Sequence, residues 1–270
     1  MIDVEAYKEN GYLLFRGFFD PAEVDKVRAD AQQIFISQMR RHELLAPSDP
    51  SEDAFEQGMS DLFDTDLQAF INCGKHAQHL ISLHRLSLDE RIVAVLKELG
   101  LECPNVSTRP VMYFNSQRLA KKEVYWRLSV HQDWRSMQGS LDSMVVWLPL
   151  VDIDVALGAL EVIPGSHKRG LLQAEMTDGY GHIEEPFEAS DFLPVGVRKG
   201  DALFFSSFLI HQSGTNVTDS IRWSCHFRYN NLGEASFVER GFPHPYIYRP
   251  QEELITENFP TPAQVNKVFL

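Results

Sequence analysis

The chain has 270 residues, of which 44% are hydrophobic and 23% charged, proportions that exclude a disordered or fibrous protein and fit an ordinary folded domain. A formal net charge of −13 excludes a general binder of phosphate backbones and disfavours anionic membranes, so neither nucleic acid nor membrane is expected as a partner. Cys73, Cys103 and Cys225 are scattered and form no Cys-x-x-Cys pair, which argues against a disulfide framework or a zinc knuckle and fits a reducing cytoplasm.

Met1-Ile2-Asp3-Val4-Glu5 lacks a basic stretch followed by an apolar one, so no secretory leader is expected. No apolar run approaches the ~20 residues of a bilayer span, and a cytoplasmic location is therefore predicted. Residues 3–9 read as a short helix capped by Asp3, followed by Gly11 and a strand over Tyr12 to Phe15. Asp20, Pro21 and Glu23 supply N-cap, N1 and N3 of a helix running to about Met39. Its stripe of Val24, Val27, Ala31, Ile34 and Phe35 is suited to covering a sheet. Residues 42–60 are polar and acidic and read as a surface loop, with a mobile lid as the alternative. Helical patterns return over 67–83, and Ser87-Leu88-Asp89-Glu90 reads as a capping box for a helix that Gly100 ends near Leu99.

Beyond Pro104 the pattern changes to short runs rich in Val, Phe, Tyr and Trp between turn residues. Strands are predicted over 111–114, 124–130, 144–151, 159–163, 195–197, 202–205 and 221–229, the spacing of an antiparallel sandwich or barrel. The expected class is mainly β with flanking helices. Nothing marks a second domain, so residues 1–270 are read as one catalytic domain: a mostly helical N-terminal elaboration over 1–103, a strand-rich core over 104–235 and a C-terminal extension over 236–270.

The chemistry starts at His131-Gln132-Asp133. If the backbone is extended there, alternate side chains share a face and His131 and Asp133 converge. His211, eighty residues later, is the candidate third metal ligand. Two histidines and a carboxylate with other positions open are the ligand set of non-heme Fe(II) oxygenases. Eleven residues beyond His211, Arg222 opens the last long strand. Alternation places Arg222, Ser224, His226, Arg228 and Asn230 on one face, and Ile221, Trp223, Cys225, Phe227 and Tyr229 on the other. A polar face of this kind is either a solvated edge or an interior that receives a charged ligand, for which guanidinium offers bidentate geometry. Arg127 and Arg135 add local positive charge, and Trp134, Arg135, His226 and Arg228 are candidate substrate contacts. His167 is read as shaping a turn, His76, His79 and His84 as structural or surface residues, and Cys225 as core.

Together, Glu9-Asn10-Gly11-Tyr12 with Asp20-Pro21, His131-Gln132-Asp133, Gly158-Ala159-Leu160, Pro164-Gly165-Ser166-His167, Gly200-Asp201, and His211 with Arg222 resemble the phytanoyl-CoA dioxygenase family of Fe(II)/2-oxoglutarate-dependent oxygenases over nearly the whole chain. The resemblance implies a double-stranded β-helix (cupin-like jelly roll) in which His131, Asp133 and His211 hold Fe(II). It also implies that Arg222 binds the C5 carboxylate of 2-oxoglutarate, with Gln132, Trp147, Ser213 and Asn115 near this cosubstrate. The region 114–125, with Arg118, Lys121, Lys122 and Glu123, departs from the family pattern and assigns no cosubstrate lysine. O2 would be the oxidant and ascorbate the reductant in vitro. Related halogenases carry a small residue in place of the carboxylate ligand, so Asp133 implies hydroxylation over halogenation and leaves desaturation and ring closure open. The expected substrate is a small or medium polar metabolite; acyl-CoA follows only from the family analogy, and no feature fixes the oligomeric state. The competing readings are a noncatalytic cupin-like binding protein and a Zn(II) hydrolase using the same ligands.

Overall fold

The computed structural model describes residues 2–46, 49–122, 128–177, 180–246 and 261–267. Helix α1 (Val4–Asn10) is capped by the Asp3 side chain and closed by Gly11, and leads into β1 (Tyr12–Phe15). Helix α2 (Pro21–Arg41) begins with the predicted capping box of Asp20 and Glu23 and buries Val24, Val27, Ala31 and Phe35. Then follow α3 (Glu52–Thr65), α4 (Leu67–Ala77), α5 (Ile81–Ser87) and α6 (Glu90–Glu98).

Two readings of this half are corrected. Residues 52–60 are not loop but the first turns of α3, because Phe55, Met59, Leu62 and Phe63 give an otherwise acidic segment a buried apolar stripe. The cap of α6 is Asp89, which accepts from the Arg91 amide, whereas Ser87 closes α5 by donating to the His84 carbonyl.

The strands are β2 (Pro104–Val106), β3 (Val111–Asn115), β4 (Met144–Pro149), β5 (Leu160–Val162), β6 (Ala174–Thr177), β7 (Tyr180–Ile183), β8 (Leu193–Val195), β9 (Ala202–Ser206), β10 (His211–Ser213) and β11 (Arg222–Asn231), with the short helix α7 (Trp134–Met137) before β4. Helices α8 (Ala235–Glu239) and α9 (Pro262–Asn266) follow β11. The larger sheet runs β1, β9, β4, β11, with β2 and β3 both paired to the far side of β11, and the smaller runs β10, β5, β8; every pairing is antiparallel. Of the strand predicted over 124–130, residues 124–127 lie outside the described residues, and 128–131 run beside β10 without a continuous ladder: Ser213 N donates to Leu128 O and His131 exchanges bonds with His211.

Within the larger sheet, β4 and β9 are buried and mainly apolar on both faces, whereas β11 turns an apolar face to the helices and a polar one to the interior. Val146, Leu148, Phe204, Trp223, Cys225 and Phe227 pack under the helices, where Phe35, Phe55, Phe70 and Phe114 join them. Val145, Trp147, Leu203 and Phe205 face Leu160, Val162 and Val195 of the smaller sheet. The arrangement is an open double-stranded β-helix with helices on one side, and no closed barrel forms among the described residues. Among the described residues no helix is long and apolar enough to cross a membrane.

Candidate metal and cosubstrate site

His131 and His211 face each other across a narrow antiparallel bridge: His131 N donates to His211 O at 3.0 Å and His211 N to His131 O at 3.2 Å. Their rings lie 4.2 Å apart, centroid to centroid. Each Nδ1 is turned to a backbone carbonyl, Ser129 O at 2.7 Å and Leu209 O at 2.9 Å. A ring nitrogen donating there leaves Nε2 as the atom with a lone pair for a metal.

Asp133 reaches the same point by a route other than the extended backbone expected. It sits in helical conformation (φ −66°, ψ −27°) at the cap of α7, where its carbonyl accepts from the Ser136 and Met137 amides. The next amide, that of Trp134, donates to Ser207 O at 2.9 Å, so the turn is fixed on both sides. Its Oδ2 lies 3.4 Å from His211 Nε2. Ligand atoms of His131, Asp133 and His211 all fall within 4.8 Å of one another, and all three residues are buried; this is the one such cluster among the described residues.

The support beneath His211 explains motifs that looked like turns. Ser166 Oγ accepts from the Ile210 amide at 2.9 Å, placing the strand just before the histidine. Gly158 and Gly214 pass so closely that a Cβ on either would come within 2.7 Å of the other segment's carbonyl oxygens, and Gly158 has φ +86°. That approach brings the Gly158 carbonyl to Arg222, whose Nη1 donates to it at 2.5 Å while Nη2 donates to Ser213 Oγ at 3.3 Å.

Arg222 is 1% exposed, and its Nε has no hydrogen-bond partner. Among the described residues no carboxylate pairs with it; the Tyr113 ring lies 5.5 Å from its guanidinium carbon. Burial pulls its pKa down to about 10, so it is still charged at neutral pH. A buried cation without an anion is costly, and a bound anion would relieve that cost. Burial likewise pulls His131 and His226 down to about 3 and lowers His211, which keeps these imidazoles neutral. Burial pushes the Asp133 carboxyl up, but the Arg228 guanidinium bound to it outweighs that and its pKa is lowered.

Two adjoining cavities meet here. The inner one, about 30 Å³, is lined by the triad, Trp147, Ser213, Arg222 and Ser224. The outer one, about 200 Å³, shares His131, Asp133, His226 and Arg228 with it and adds Gln132, Ser136 and Gly181. The inner space is narrow, so a ligand reaching Arg222 must displace part of its lining. A wider groove of about 960 Å³ lies elsewhere, but Arg16 and Lys199 within it are already paired with Asp201 and Asp25, and no ligand set converges there.

Of the residues expected here, Trp147 and Ser213 line the inner cavity, and Asn115 stands opposite Arg222 in the β3–β11 register. Gln132 does not turn to the cosubstrate space: its amide nitrogen donates to Gly170 O and Phe208 O, and its oxygen accepts from Leu172 N, which makes it a clamp on two loops. Trp134 donates to Ser140 O and stacks on Phe208 at 5.4 Å, in a separate surface pocket, so it is not placed to touch a substrate at the triad. Arg135 is bound to Leu172 O and packs over Gly181, again in a holding position. His226 does line both cavities, with Nε2 buried and lacking a partner, whereas Arg228 is committed to Asp133. Arg127 lies outside the described residues. Tyr113 and Leu128, which line both cavities, escaped sequence reasoning; the alternation Val111, Tyr113, Asn115 on β3 is the signal that marks the first of them.

The chain is similar to known proteins in sequence and in fold. A phytanoyl-CoA dioxygenase domain-containing protein 1 homolog from Dictyostelium discoideum is 24% identical over 83% of the chain and 89% of its own length. Peroxisomal phytanoyl-CoA dioxygenase from Homo sapiens is 26% identical over 82% of the chain, which spans 66% of that protein. Among solved structures, the epimerase SnoN in complex with Fe3+, alpha ketoglutarate and nogalamycin RO has the same fold, with TM-score 0.57 and 19% identity, covering 96% of this chain and 90% of SnoN. The phytanoyl-CoA dioxygenase (PhyH) family profile matches residues 7–224, and the chain belongs to that family.

Proposed function

We propose that this chain is an Fe(II)- and 2-oxoglutarate-dependent oxygenase that hydroxylates a C–H bond of a small or medium polar metabolite. The observation that carries the reading is the buried Arg222 guanidinium, with no carboxylate partner among the described residues, lining the same cavity as the His131, Asp133 and His211 triad. A zinc hydrolase has no use for such a clamp, and a binding protein has no use for the triad. SnoN, whose complex contains iron and 2-oxoglutarate, supports the same pair of ligands here.

In this reading His131 and His211 offer Nε2 and Asp133 offers Oδ2 to iron, while Arg222 and Ser213 hold the distal carboxylate of 2-oxoglutarate. Trp147, Leu160 and Phe205 keep water out of the inner cavity. His226, neutral and with Nε2 turned inward, is the substrate contact that the geometry favours. When bound, iron and 2-oxoglutarate supply the oxidising chemistry, in which O2 and 2-oxoglutarate are consumed, succinate and CO2 are released, and C–H becomes C–OH. The chain's own share is orientation and exclusion of water.

Anaerobic addition of Fe(II), ascorbate and 2-oxoglutarate is expected to produce the weak visible band of the iron–2-oxoglutarate complex. Arg222→Ala should weaken 2-oxoglutarate binding by ~10-fold or more, since a charge-assisted bidentate contact is lost. His131→Ala should abolish iron binding. Wild-type protein with iron demonstrably bound that never develops the band would sink the proposal.

A further inference from the structure

Asp133 is held by more than its backbone. Arg228, six residues after Arg222 on the same face of β11, places Nε 3.0 Å and Nη2 2.5 Å from the same carboxylate oxygen, Oδ1. The other oxygen, Oδ2, is the one 3.4 Å from His211 Nε2. Both side chains are largely withdrawn from solvent, with 13% and 5% of their surfaces exposed. A carboxylate on an ordinary aspartate swings about two torsions, and either oxygen can turn toward a metal. Here one oxygen is taken by two hydrogen bonds from one planar guanidinium, so the rotamer is fixed and the second oxygen is left facing the histidines.

We infer that Arg228 is a positioning residue that selects Oδ2 of Asp133 as the metal-facing atom and fixes it in place before any metal arrives. The inference rests on the metal reading given above. Two effects of Arg228 on a divalent cation oppose each other. Its positive charge disfavours the ion, and its orientation of the ligand favours it; groups that orient a metal ligand are typically worth ten- to a hundredfold in affinity. Both donors bind Oδ1 and leave Oδ2, the oxygen beside His211 Nε2, without a guanidinium contact, which favours orientation as the larger effect.

The test uses full-length protein and Co(II), which reports metal affinity without turnover. Calorimetric titration of wild type, Arg228→Met and Arg228→Lys is expected to show affinity reduced ~10-fold or more in the Met variant. Partial recovery is expected in the Lys variant, whose ammonium can still donate to Oδ1. Co(II) affinity that is unchanged or tighter in Arg228→Met would overturn the inference, because Arg228 would then only neutralise the carboxylate. The Lys variant guards against misfolding of the Met one: equal loss in both, with an unchanged thermal midpoint for the apo Lys variant, would also overturn it. Failure of wild type to bind Co(II) at all would instead strike the metal reading.

Discussion

Asp201, outside the triad, fixes the entry of β9, the strand whose Phe205 lines the inner cavity. Its carboxylate accepts from the amides of Gly17 and Arg198 and from the Arg16 guanidinium, joining the entry of β9 to the turn after β1. Burial pushes this carboxyl up, but those donors outweigh it and hold the group below the usual carboxylate range. Because the folded value lies below the unfolded one, the stabilisation is complete above the ordinary range and is lost as pH falls through the lowered folded value. Asp201→Asn should therefore cost about 1–3 kcal/mol at neutral pH. In urea denaturation, the gap between the two proteins should narrow toward acid; a gap independent of pH would mean that the charge plays no part. Gly200-Asp201 was legible in the sequence as a family motif just before a predicted strand, and the residues of the triad and Arg222 were legible as well. What sequence could not give was the commitment of neighbouring polar groups. Gln132, Arg135 and Arg228 look like equal candidates for ligand contact, and only the carbonyls and carboxylate that arrive from distant segments decide what each one holds.

At the scale of elements, α3 carries a role that its acidic composition conceals. Phe55 is buried against Trp223 on β11, with ring centroids 6.2 Å apart, and Glu56 accepts from the Ile221 amide at 2.9 Å. The helix thus braces the start of β11 immediately before Arg222. Phe55→Ala should cost about 3–5 kcal/mol in equilibrium unfolding, the range for a large buried aromatic. A loss below about 1 kcal/mol would show that α3 is only loosely docked. In the larger sheet β4 and β9 were readable as apolar runs bounded by turn residues and β11 by its alternation, whereas β2, three residues long, was not predicted. Nor were the β6–β7 hairpin and β10. β10 has only three residues, and its pairing with β5 across some fifty positions is set by the sandwich rather than by any local pattern.

Across the whole molecule, the polar face of β11 is enclosed by two sheets, and its stability depends on what fills the space. Three of the orphaned polar atoms on this strand, Arg222 Nε, Ser224 Oγ and His226 Nε2, occur at alternate positions facing one interior. Ligands that satisfy them bind the folded state alone and should raise its thermal midpoint. At a hundred times the dissociation constant, the gain is about 2.7 kcal/mol. Ni(II) with 2-oxoglutarate is expected to raise the midpoint more than Ni(II) alone, and a chelator should reverse both shifts; identical shifts with and without 2-oxoglutarate would argue against Arg222 as its anchor. The narrow bridge between His131 and His211 has a kinetic corollary. The two amide hydrogens that join these residues belong to the same pair that supplies the imidazoles, so loosening either segment loosens the backbone beneath both rings. Hydrogen exchange at these two amides should therefore slow in step when metal is loaded, and slowing at one without the other would show that the two segments open separately.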